Sequence, residues 1–246
     1  VIALYDMSIG GRARDPSLVR PTTYDFFNWL THVRILGATE IAFKIEPMAQ
    51  GKWPIAESLK RFENYIWPGC ALAGLPCSVK NEGDGTIGSV LMCDLLADLA
   101  LGKRMQRLVT VKPPGLARYT VTIRETFRNT HKNSDRDLWL AFAERIGAHV
   151  FEDDTRVCTE LHDRVAICAG AKMNFGVTNG PLSLLYYTPY PFTMFCDPIG
   201  TRKSFSGHKI KPGDQLPIFL PKQKFVWVKP TMDDLMREFD DCRRGN

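Results

Sequence analysis

Short strand-like runs alternate with helical stretches along most of the chain, and this alternation most constrains what it can fold into. The opening "VIALYDMS" (Val1–Ser8) reads as a strand. Thr22 and Asp25 make a capping-box-like start for "YDFFNWLTHVRIL", and Gly37 stands where a helix C-terminal glycine belongs. A second strand, "TEIAFKIE" (Thr39–Glu46), follows at once. Strand, helix, strand in that order is the unit of a parallel sheet, because strands running the same way need a crossover to join them.

The pattern continues with a helix through "AESLKRFENYIW", closed at Pro68-Gly69, and a short strand around Cys77–Lys80. The helix "IGSVLMCDLLADLAL" and the strand-like "RLVTVK" come next. "KPPGLARY" (Lys112–Tyr119) places two prolines and a glycine between apolar runs, which marks a boundary. Beyond it the alternation restarts. Strands are expected at Tyr119–Arg124, His149–Glu152, Met173–Val177, Phe192–Cys196 and Phe225–Val228. Helices are expected at Ser134–Ile146 with a Ser134/Asp137 capping box, at Leu161–Ala171, Pro181–Tyr187 and Met232–Arg243. The expected organisation is two α/β domains, residues 1–114 and 115–246, with one larger sheet as the alternative.

With 246 residues the chain can bury substantial cores, and 44% hydrophobic and 24% charged residues are ordinary for a globular protein. Its longest apolar run is interrupted by Asp94 and Asp98, so no membrane span is expected. A formal charge of +5 without any Lys/Arg block interleaved with aromatics suits an anionic small molecule and argues against nucleic acid. Seven scattered cysteines and no secretory leader give the expectation of a reduced, cytoplasmic setting. No CxxC, HExxH or clustered His/Cys spacing is present, so neither a metal nor another cofactor is expected.

Five stretches carry candidate chemistry. "TNGPLSLL" leaves a strand through Thr178-Asn179-Gly180-Pro181 into a helix. This corner reads either as turn grammar or as a helix N-terminus open to a phosphate. Arg124 ends an apolar strand, with Arg128 in the loop beyond, and guanidinium forks match phosphate oxygens. Arg164 sits in a first helical turn, where the dipole disfavours a cation, so it is a further candidate for an anion. Gly83-x-Gly85-x-x-Gly88 has dinucleotide-binding spacing, but the stretch about twenty positions on offers only Lys and Arg. In the first loop, Gly10 and Gly11 allow close backbone approach, Arg12 and Arg14 add positive charge, and Asp6 or Asp15 is a candidate base.

The second half resembles the nucleotide-sugar-binding half of GT-B-type glycosyltransferases, above all bacterial heptosyltransferases. The likeness is carried by the order of elements and by "HDRVAICAGAKMNFGVTNGPLSLLYYTPYPFTMF", over roughly Tyr119–Pro198. Gly180, Pro181, Leu182 and Leu184 fall on matching positions, and Pro191 precedes the next strand. Thr178 stands where that family has an acidic residue, and Ser183 where it has a histidine. Arg124 is similar to the arginine that fucosyltransferases of GT-B shape set against a nucleotide diphosphate. The resemblance implies two Rossmann-like domains with parallel sheets facing a cleft. Residues 1–114 would hold an acceptor, a small molecule or a glycan, and residues 115–246 a nucleoside-diphosphate sugar. It implies a metal-independent glycosyltransferase, with Thr178 to Pro181, Ser183 and the arginines around the donor. The alternatives are an NADP-dependent oxidoreductase using Gly83–Gly88 and a non-catalytic nucleotide-sugar-binding protein of the same fold.

Overall fold

The computed structural model describes residues 2–7, 26–46, 54–80, 107–108, 117–125, 130–154, 161–199 and 210–245. The chain forms two compact units, Val1–Val109 with Glu160–His162, and Thr110–Thr159 with Asp163–Asn246. Each has its own sheet, and among the described residues every strand pairing is parallel. Among the described residues no helix is long and apolar enough to cross a membrane, and no group of three His, Cys, Asp or Glu side chains could hold a metal.

In the first unit the sheet order is β1 (Ile2–Asp6), β2 (Glu40–Lys44), β3 (Cys77–Val79). Helix α1 (Phe26–Ile35) buries Phe26, Phe27, Trp29 and Leu30. Tyr5 of β1 meets Phe26 and Trp29 edge-on at 5.0 and 4.7 Å. Gly37 closes the helix at φ 85°, a left-handed value that costs glycine nothing, and the Ala38 N–H reaches back to the Val33 carbonyl.

Pro68-Gly69 does not end the following helix, contrary to the sequence expectation. α2 (Ile55–Arg61) passes through a π-helical turn, Phe62–Ile66, into α3 (Trp67–Leu72). A proline in a regular helix loses one hydrogen bond and crowds the carbonyl four residues back, here that of Asn64. The wider turn, in which the Trp67 N–H bonds the Phe62 carbonyl, puts Pro68 at the start of a fresh α segment. Gly69 is needed for packing: a Cβ there would lie 2.8 Å from the Phe27 ring.

The second unit holds β4 (Tyr119–Glu125), α4 (Arg136–Ile146), β5 (His149–Asp154), α5 (Leu161–Gly170) from Asp163 onward, and β6 (Met173–Val177). Then come α6 (Gly180–Ser183), continued as a 3-10 turn over Leu184–Tyr187, β7 (Phe192–Phe195), β8 (Gln223–Val226) and α7 (Met232–Arg244). The sheet order is β5-β4-β6-β7-β8. After β4 the chain goes to one side for β5 and crosses back for β6, so the strand order reverses between β4 and β6. Val121, Ile123 and Phe175 bury one sheet face against Trp139 and Phe142 of α4 and Leu235 and Phe239 of α7.

Two local expectations are corrected. The cap of α4 is Asp135, whose Oδ1 accepts the Leu138 N–H at 3.3 Å, and not Ser134. Ser134 closes the end of β4 instead: its Oγ accepts the Arg124 N–H at 2.9 Å, and its own N–H donates to the Arg124 carbonyl at 3.0 Å. The last strand runs two residues earlier than expected, because buried Gln223 is part of it. The Gln223 amide donates to the Thr188 and Tyr190 carbonyls, both at 2.8 Å, and accepts the Leu220 N–H at 3.0 Å. A glutamine with its amide satisfied can be buried where polarity alone suggests a loop.

α7 opens with a capping box in which Thr231 Oγ1 accepts the Asp234 N–H and the Asp234 carboxylate accepts the Thr231 N–H. The hydrogen bonds from Thr231, then from Arg237, hold the Asp234 carboxyl below its ordinary value of 3.8. A lowered folded-state value means stability that is present above the unfolded value and lost as pH falls through the folded one. Acid titration followed by circular dichroism is therefore expected to show the wild type losing stability below about pH 4 faster than Asp234→Asn, with parallel curves the contrary result.

Candidate functional site

Open α/β sheets take ligands beyond the carboxyl ends of their strands, where the strand order reverses. In the second unit that point lies between β4 and β6. Arg124 stands at the end of β4, its backbone fixed by Ser134, and its Nη1 donates to the Thr178 carbonyl at 3.4 Å. Arg124 and the Thr178–Pro181 corner, some fifty residues apart in sequence, are thus brought together across the switch point. Gly176 permits this closeness: a Cβ there would lie 2.8 Å from the Thr122 carbonyl oxygen and 2.9 Å from Leu182.

Beside the Arg124–Thr178 contact is a cavity of about 340 Å³ at the carboxyl end of the sheet. The segment after β4 contributes Thr130, Lys132, Asn133, Ser134 and Asp135; β6 and its exit contribute Val177 and Thr178. Phe195 and Asp197 come from the end of β7, and Lys229 and Pro230 from beyond β8. Trp139 lies on α4, and its ring meets Phe195 edge-on at 5.7 Å. Both carboxylates have local work: Asp135 caps α4, and Asp197 Oδ1 accepts the Ile199 N–H at 2.9 Å. The lining therefore combines an apolar part, two ammonium groups, two carboxylates, three hydroxyl side chains and an amide. The ammonium and hydroxyl groups among them can donate hydrogen bonds to an anionic group.

The corner itself uses its polar groups internally. Asn179 caps α6, with Oδ1 accepting the Leu182 N–H at 2.7 Å. The Ser183 N–H bonds the Asn179 carbonyl, and Ser183 Oγ donates to the Gly180 carbonyl at 2.6 Å. Pro181 has no N–H to offer. The helix continues for only four α-helical residues before tightening. Turn grammar accounts for these hydrogen bonds, so the corner has few polar groups left over for a ligand. Asn179 Nδ2 is enclosed with no hydrogen-bond acceptor among the described residues. The Thr178 N–H donates to the Phe195 carbonyl at 3.2 Å, and its side chain hydrogen-bonds the Cys196 thiol. Burial pushes that thiol up from its ordinary value, which keeps it protonated and inert.

Other candidate residues lie elsewhere. Arg164 is buried on α5 with its guanidinium 4.3 Å from the centre of the Phe151 ring, a cation–π contact. It does not line the cavity. Asp6, in the first unit, is buried at the end of β1 with Oδ2 3.7 Å from Lys44 Nζ, its register partner on β2. Gly10, Gly11, Arg12, Arg14, Asp15, Arg128 and the Gly83–Gly88 spacing lie outside the described residues.

Lys132, Trp139, Asp197 and Lys229 are lining residues that were not among the sequence candidates. A signal existed for Lys229: it directly follows the expected strand Phe225–Val228 and precedes the Thr231 capping box, so it lies beyond a strand exit on the same sheet edge as Arg124. Lys132 and Trp139 flank the Asn133-Ser134 step, but nothing in the sequence says which helix face turns to the strand ends.

No family model matches the chain, and no curated protein does. Among solved structures the chain is similar to the bacterial iron-containing dodecameric glycosyltransferase TibC from enterotoxigenic E. coli H10407. That alignment has 11% identity and a TM-score of 0.50, covering 99% of this chain and 76% of TibC. A second structure, the dodecameric iron-containing heptosyltransferase TibC in complex with ADP-D-beta-D-heptose, aligns at 10% identity and a TM-score of 0.48. It covers 99% of this chain and 77% of that one. The likeness to the first structure is one of fold: this chain has a glycosyltransferase-like α/β architecture with parallel sheets.

Proposed function

We propose that the chain is a GT-B-like glycosyltransferase whose second unit binds a nucleoside-diphosphate sugar at the carboxyl end of its sheet. The observation that carries this reading is the cavity beside the switch point, with Lys132 and Lys229 in its lining and Arg124 held against Thr178 next to it. Val177 and Pro230, half-buried in the lining over the buried Trp139 and Phe195 rings, supply a small apolar surface for a base, and the ammonium groups and guanidinium supply counter-charge for a diphosphate. In transfer, the acceptor hydroxyl oxygen attacks the anomeric carbon while the bond from that carbon to the diphosphate oxygen breaks. The electron pair leaves with the diphosphate, and fixed cations stabilise the charge that develops there. The hydroxyl proton needs a base, the role proposed for Asp6 or Asp15. The fold supports transferase chemistry in general, and the cavity lining supports an anionic nucleotide as the donor's leaving group.

The test is a thermal-shift series with ADP, UDP, GDP and their sugars, followed by calorimetry on whichever raises the melting temperature. One base is expected to stabilise the protein over the others, and its nucleotide sugar is expected to be consumed when an acceptor is present. No shift with any of them at millimolar concentration would sink the reading. Binding without turnover against a broad acceptor panel would point to a binding protein of this fold.

A further inference from the structure

The first unit contains a pair of thiols that the site does not use. α3 ends in a Schellman turn: the Leu75 N–H donates to the Cys70 carbonyl at 3.0 Å, and the Gly74 N–H to the Ala71 carbonyl at 2.9 Å. Gly74 takes φ 68° there, a left-handed value open to glycine. The turn folds the chain back so that Pro76 and Cys77 enter β3, where Cys77 pairs in register with Ile41. The thiols of Cys70 and Cys77 are thereby hydrogen-bonded to each other, one from a helix end and one from a strand. Both are free, with Cys70 fully buried and Cys77 half-buried.

We propose that Cys70 and Cys77 form a reversible disulfide that ties α3 to β3 when the protein meets a low-molecular-weight disulfide such as oxidised glutathione. Cys77 reacts first because it is the accessible member. Its thiolate attacks one sulfur of the small disulfide, giving a mixed disulfide and expelling one small thiolate. The Cys70 thiol then gives up its proton and attacks the Cys77 sulfur, expelling the second small thiolate. Two protein thiols are oxidised and one small disulfide is reduced. Burial pushes both thiols up from their ordinary value, and the hydrogen bond from Cys70 draws Cys77 partly back. The reaction is therefore slow at neutral pH and faster as pH rises, since the thiolate is the nucleophile.

The experiment incubates the full chain with oxidised glutathione at mildly alkaline pH, quenches with acid, and maps the peptides without reduction. A Cys70–Cys77 cross-link with the loss of two hydrogens, reversed by dithiothreitol, is the expected result. Cys70→Ser is expected to stop at a glutathione adduct on Cys77, and Cys77→Ser to leave Cys70 unmodified. Three results would overturn the proposal: glutathione remaining on wild-type Cys77 without closure, Cys77 staying reduced, or either residue bridging to another cysteine. Should a serine variant fail to fold, the wild-type peptide map alone decides.

Discussion

Replacing Lys132 and Lys229 together by alanine is expected to weaken nucleoside-diphosphate binding by about 100-fold or more. Each is a lysine lining the cavity, on segments that follow β4 and β8. A charge-assisted hydrogen bond contributes about 1.5–3 kcal/mol, so two lost together amount to at least about 3 kcal/mol. The same interactions predict that affinity falls as salt is raised, because ionic strength screens partly exposed pairs. Arg124→Lys is the companion variant: it keeps the charge but loses the planar fork, so its affinity should fall between wild type and Arg124→Ala. Calorimetry at two salt concentrations reads all three, with melting temperature as the control for folding. Unchanged affinity in the double variant would remove the cavity from the nucleotide site.

The second large effect is expected from Asn174→Leu, as a loss of stability in the second unit. Asn174 is fully buried in β6. Its Oδ1 accepts the Thr120 hydroxyl at 2.6 Å, and its Nδ2 donates to the Pro191 carbonyl at 2.8 Å and the Cys168 carbonyl at 3.1 Å. One side chain thus joins β4, the end of α5 and the entry to β7. Leucine is similar in size but leaves those groups facing an apolar surface, and each buried polar group left unpaired costs about 1–3 kcal/mol. Since the Pro191 carbonyl also accepts the Asn174 N–H, the sum is expected near 3 kcal/mol, or roughly a 10 °C fall in melting temperature. Thr120→Val removes one member only and should cost clearly less. Equal melting temperatures for Asn174→Leu and wild type would show that the network adds nothing net.

Most of the fold was legible because periodicity and capping point the same way in the second half. The strand Met173–Val177 and the start of the last helix are found where the pattern put them, since apolar runs bounded by Asn, Gly, Pro and Thr leave few alternatives. What failed were places where one residue type has two competing uses. Pro68 reads as a stop unless a wider turn precedes it. Ser134 reads as a cap unless a strand end claims its hydroxyl. Gln223 reads as loop unless carbonyls surround its amide. The candidate site was half legible: Arg124 and the Thr178 corner follow from position at strand exits. Lys132, Trp139 and Asp197 meet only through the sheet order, which local sequence does not encode.

Because every described strand pairs in parallel, neither sheet contains, among the described residues, a hairpin from which pairing could spread. β4 and β6 can be joined only after residues about fifty positions apart have found each other, as Thr120 and Asn174 do across 54 positions. Such closures cost chain entropy before any contact compensates, so folding of this unit is slow for its size. The place where the strand order reverses is also the place where the proposed ligand sits. No partly folded form with β4 and β6 apart can hold that ligand, and a bound nucleotide therefore favours the fully assembled sheet over everything that precedes it.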